Sequence, residues 1–142
     1  WTVVMNNDVV CAKGWLSNLL ASAERHQLQI ASPAMVEGEL DYDLEAWTQD
    51  ASQKMHGYCR FGAPHAVCMA IREDVWEEIG YFMPVPKLLG YEDGIFFQRA
   101  LEAGLSTGTT AQTVMNAAKN KIQPLESGGL ALLLLTPRAK RH

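Results

Sequence analysis

The chain has 142 residues, 48% of them apolar and 20% charged, with a net charge of −4. That length suits one domain with a real core. The composition is that of an ordinary globular protein. The acidic balance and the lack of a basic stripe argue against nucleic acid as a partner. Cys11, Cys59 and Cys68 are an odd number without framework spacing, which favours a reducing, cytoplasmic setting over a secreted one. The longest apolar run, Leu130 to Leu135, is far short of the ~20 residues that cross a bilayer.

Trp1 to Met5 is short, apolar and β-branched, so it reads as a buried strand. The chain begins inside this pattern, and the expectation is that an N-terminal part is missing. Asn6-Asn7-Asp8 breaks the run with turn-prone residues, and Val9 to Cys11 resumes extended structure. Gly14 leads into a helix over 15–26, with Trp15, Leu16, Leu19, Leu20 and Ala23 on one face. Leu28 to Ala31 is expected as a strand closed by Ser32-Pro33.

The acids Glu37, Glu39, Asp41, Asp43 and Glu45 do not match calcium-loop spacing and read as a solvated loop. A short helix follows, with Leu44, Trp47, Ala51 and Met55 expected on one side. His56, Cys59, His65 and Cys68 are residue types that zinc accepts. However, 63–71 reads as a strand, where residues three apart face opposite ways, so packing is the expected role. Asp74 to Ile79 is a helix stopped by Gly80. Tyr81 to Tyr91 is a Pro-rich loop. A helix over 92–103 ends at Gly104, and Thr109 to Met115 suits a strand. Ser127-Gly128-Gly129 breaks the pattern before a basic tail, dividing the chain into 1–125 and a weakly patterned 126–142. The order predicts an α/β fold, a mixed sheet flanked by helices.

Two acidic sites carry the chemistry. Asp8 lies at the carboxyl end of a strand, where ligands of such sheets bind and where a carboxylate can hold a metal. Glu92-Asp93 opens a helix, where acids complement the dipole and one can also take a proton. Charge matching at a helix start and an Asx-turn at Asp8 are the plainer readings of the same residues.

Taken together, Val3-Val4-Met5-Asn6-Asn7-Asp8 with Gly14-Trp15-Leu16, Cys68-Met69-Ala70-Ile71-Arg72 with Val75 to Phe82, and Gly90 to Gly104 resemble three ordered blocks of the family 2 glycosyltransferases. The resemblance spans about residues 1–115. It implies a GT-A fold and transfer of a sugar from a nucleotide-diphosphate donor to a carbohydrate or lipid-linked acceptor hydroxyl, usually with inversion. A lipid-linked acceptor leaves room for peripheral membrane association in cell-envelope polysaccharide synthesis. The resemblance assigns Asp8 as ligand of Mg²⁺ or Mn²⁺, Asn6 and Asn7 as its companions at the donor, and Asp93, supported by Glu92, as base. Gly62, Trp47 and Arg99 fall on the acceptor side. Asn116 stands where many members have a metal-contacting His. The family's nucleobase-binding half precedes these blocks, so the chain alone is expected to bind donor weakly. The alternative reading is a non-catalytic α/β module that self-associates through the sheet edge left by the missing strands.

Overall fold

A computed structural model describes residues 1–62, 64–84, 92–117 and 131–133. The fold is mixed α/β. In chain order the elements are β1 (Thr2–Met5), β2 (Val9–Cys11), α1 (Trp15–Arg25), β3 (Ile30–Glu37), α2 (Leu44–Lys54), β4 (Cys59–Phe61), β5 (Cys68–Ile71), α3 (Glu73–Ile79), α4 (Glu92–Glu102), β6 (Thr107–Ala117) and β7 (Ala131–Leu133).

Among the described residues the strands form one sheet in the order β2-β6-β3-β5-β1-β7, with β4 pairing β6 off that path. β3 and β6 are parallel, and every other pair is antiparallel. Val3 and Val4 are both 1% exposed and lie on opposite faces, because successive strand side chains alternate. Val3 packs with Leu19, Ala23, Leu28 and Ala31 under α1. Val4 packs with Ile30, Met69, Ile71, Val75, Trp76, Phe96 and Ala100 under α3 and α4. β1 is therefore buried on both faces, which is why its sequence is an unbroken apolar run rather than an alternation.

Three expectations about the strands are corrected. β3 does not stop at Ser32-Pro33 but continues to Glu37. Proline cannot donate to a ladder, and the strand passes through it by a register shift. Pro33 lies opposite Thr110, whereas Ala34 lies opposite Val114. The strand expected over 63–71 is only Cys68–Ile71, because the backbone of His65 is tied to Ser32 instead. β4 was not expected. It is three residues long with Arg60 and Phe61 exposed, so it lacks an apolar pattern.

α2 begins where expected, its N-cap Asp43 side chain accepting from the Ala46 N–H at 3.0 Å. Its rotation differs from expectation. Leu44 and Thr48 are buried, while Trp47 is 46% and Met55 44% exposed. The break at 127–129 and the tail 137–142 lie outside the described residues. β7, from beyond residue 125, nevertheless belongs to the sheet.

Candidate functional site at the carboxyl end of β1

β1 runs out at Met5, opposite Cys68 at the start of β5. Beyond that pair the Asn6 N–H donates to the Val67 carbonyl at 2.8 Å. This bond holds the turn after β1 against the loop before β5. On the Val4 face a cavity of about 730 Å³ opens there. Val4, Met69, Phe82 and Phe97 supply apolar wall, and Asn6, His65, Glu92 and Asp93 supply the polar groups. An apolar pocket with a few convergent polar groups is the common form of a small-molecule site.

Each polar group is placed by its own element. Glu92 and Asp93 are the first turn of α4, which is fixed to the sheet by the fully buried Phe96 and Ala100, one and two turns on. The Asp93 carboxylate accepts from the Gly94 N–H at 2.9 Å. This local bond leaves the second oxygen's lone pairs for other partners. The His65 N–H donates to Ser32 Oγ at 2.9 Å, and Ser32 Oγ donates back to the His65 carbonyl at 3.1 Å. Its Nε2 meets the Pro33 carbonyl at 2.7 Å, while its Nδ1 is buried without a partner. Burial lowers the pKa of His65, outweighing the opposing effect of the Pro33 bond. The ring is thus neutral, with the proton on Nε2.

The site residues read from sequence divide. Asn6, Glu92 and Asp93 meet in the cavity. Asn7 is exposed and Asp8 half-buried in the turn between β1 and β2, outside the cavity lining. Gly62 lines a neighbouring groove of about 400 Å³ with Phe61, Gly94 and Leu101. Pro64 and Phe97 are shared by that groove and the cavity. Trp47 tilts against Tyr42 with ring centroids 6.3 Å apart, away from both. Arg99 lies behind the wall. Its Nη1 donates to the Ile79 carbonyl at 2.6 Å and its Nη2 to the Tyr81 carbonyl at 2.5 Å. Asn116 is fully buried and donates to the Tyr42 hydroxyl at 3.0 Å.

His65 was missed as a site residue. Its neighbours Ala66 and Val67 suggested a strand interior, and nothing local marks the Ser32–Pro33 contact that seats it. Cys68 is buried with its thiol pushed up to about 12, chiefly by burial, so it presents no thiolate ligand.

No family model matches this chain, and neither a curated protein nor a solved structure matches it. No helix among the described residues is long and apolar enough to cross a membrane.

No group of three His, Cys, Asp or Glu side chains among the described residues could hold a cation alone. Mg²⁺ in a diphosphate site does not need such a cage. One or two carboxylates suffice when phosphate oxygens and water complete the shell. Asp8, at a turn beside the cavity's Asn6, fits that mode.

Proposed function

We propose that the chain is part of a nucleotide-sugar-dependent glycosyltransferase that acts on an acceptor hydroxyl with inversion. One observation carries the reading. The cavity at the carboxyl end of β1 gathers Asn6, from the turn that also holds Asp8, with Glu92 and Asp93 from the start of α4.

The chemistry assigns the roles. An acceptor hydroxyl is a poor nucleophile until a positioned carboxylate takes its proton. Asp93 receives that proton. The acceptor oxygen forms its bond to the anomeric carbon as the bond from that carbon to the diphosphate oxygen breaks. The electron pair leaves with the nucleoside diphosphate. Asp8 would hold a divalent cation, which would supply charge neutralisation for the departing nucleoside diphosphate.

In the complete protein, release of nucleoside diphosphate from a panel of nucleotide sugars with Mn²⁺ tests this reading. Asp93→Asn is expected to lower kcat by ~10²–10⁴, the usual contribution of a general base, with donor affinity little changed. Glu92→Gln is expected to do less, since neighbouring helical positions point about 100° apart. Asp8→Ala is expected to abolish the metal dependence. Transfer unaffected by Asp93→Asn, or none with any donor, defeats the assignment.

A further inference from the structure

The opposite face of the sheet carries a second cleft. Asn18 of α1 and Gln112 of β6 form one side of a groove of about 860 Å³, and α2 forms the other. Val3 packs under α1 and Val4 lines the catalytic cavity, so the two clefts lie on opposite faces of β1. From α2 the groove takes Glu45, Thr48, Gln49, Ser52 and Gln53, and His56 follows just beyond its end. The α2 positions recur at intervals of three and four, one continuous stripe of a helix. A helix on a sheet normally turns an apolar stripe inward. Here the groove-facing stripe is polar, while Trp47 and Met55 remain exposed.

The character of the stripe limits the ligand. Its main groups are neutral amides. The side chains of Asn18, Gln49 and Gln53 make no hydrogen bond among the described residues. Thr48, 8% exposed, carries a buried hydroxyl with no partner. Charge in the groove is balanced, one Lys13 against one Glu45, and that carboxylate already accepts from the Lys13 N–H at 2.7 Å. A phosphorylated ligand finds no net positive charge there. Every lining residue is of polar or charged type, so an apolar anchoring side chain of a peptide finds no apolar residue to meet there. Amides offer paired donors and acceptors. Vicinal sugar hydroxyls, each both donor and acceptor, match that pairing without needing charge.

We propose that this groove binds a neutral oligosaccharide, held by the amides of Asn18, Gln49 and Gln53. The groove shares no lining residue with the cavity. The groove is open to water, so each hydrogen bond replaces one to solvent and the affinity is low, with a dissociation constant of about 1 mM.

Titration of the isotope-labelled chain with maltotetraose and with cellotetraose, followed by amide NMR spectra, tests the proposal. The expected result is saturable shifts of the Asn18, Gln49 and Gln53 side-chain amides with one or both sugars, and none at Asn6. Gln49 and Gln53 are exposed, so the double variant Gln49→Ala/Gln53→Ala keeps the fold and weakens binding by about fivefold or more. The proposal is overturned by an absence of shifts with both sugars, by shifts confined to the cavity, or by equal shifts with tetraglycine or inorganic phosphate. These readouts report binding alone, so they stand or fall apart from the transferase reading.

Discussion

The two ring nitrogens of His65 occupy unlike surroundings. Nε2 meets the Pro33 carbonyl, which can only accept, so this nitrogen carries the proton. Nδ1 is buried and unpartnered. Protonating it would bury an unpaired donor and a charge together. The folded-state pKa is accordingly below the ordinary value of about 6.5. The sign for stability follows. Above about pH 6.5 both folded and unfolded rings are neutral, and His65 adds no pH dependence. As the pH falls from there toward the lowered folded value, the unfolded chain takes up a proton that the folded chain refuses, and stability is lost. His65→Gln keeps an amide donor within reach of Pro33 but cannot titrate. Its urea midpoint is expected to fall less between pH 7 and pH 5 than that of the unaltered chain. Equal falls would mean that His65 is not the titrating group in this window. The same neutrality matters to the cavity, where His65 adds polarity without a positive charge that would compete for Glu92 and Asp93.

At the scale of elements, Arg99 joins two helices. α3 ends at Ile79, and Gly80 turns the chain away with φ 73°, a left-handed conformation that glycine adopts freely. The last carbonyls of a helix need partners. Arg99, from the last turn of α4, donates to two carbonyls around that end, and its guanidinium lies 5.8 Å from the Phe96 ring centre. Arg99→Met is expected to destabilise the fold by about 2 kcal/mol, since hydrogen bonds from charged groups contribute ~1.5–3 and this pair is partly exposed. Thermal unfolding measures that loss. Unchanged stability would mean that these two hydrogen bonds do not hold the helix ends together. Sequence could place such an Arg on a helix but not its partners, which lie on another element. The same limit explains what was legible elsewhere. β1, α1, α3 and α4 announce themselves through apolar runs or helical periodicity. The passage of β3 through Pro33, the shortness of β5 and the existence of β4 depend on cross-strand pairing. Gly108 on β6 is a case in point. A Cβ there would lie 2.9 Å from Cys59 Sγ and 3.1 Å from the Arg60 carbonyl, so β4 can pair only because that position is a glycine. In the site, the Asn6 turn and Glu92-Asp93 were legible as acidic or turn-prone punctuation. Their convergence was implied only by the family resemblance, and the arrival of His65 beside them was not legible.

Across the whole molecule, the sheet has two covered faces and a managed edge. The alternative reading expected the sheet edge left by missing strands to favour self-association, and without β7 the strand β1 would be such an edge. β7 lies along it instead, pairing Val3, Val4 and Met5 with Leu133, Leu132 and Ala131. An unpaired edge of this kind offers free N–H and C=O groups to any other strand. β1 is a poor edge on its own. It is apolar on both faces and carries none of the charges or prolines that usually blunt one. Deleting the residues after Ala117 removes β7 and, among the described residues, none of the side chains that build the two cores. The shortened chain is expected to keep its α/β circular dichroism and to gain apparent mass as concentration rises in sedimentation velocity. The whole chain should show a smaller rise over the same range. Leu132→Pro provides a second form of the test, since a proline in the middle of β7 disfavours the strand while leaving the length of the chain unchanged. If both altered chains sediment as the unaltered one does, the β1 edge is not what β7 protects. The short strand would then add pairing energy alone.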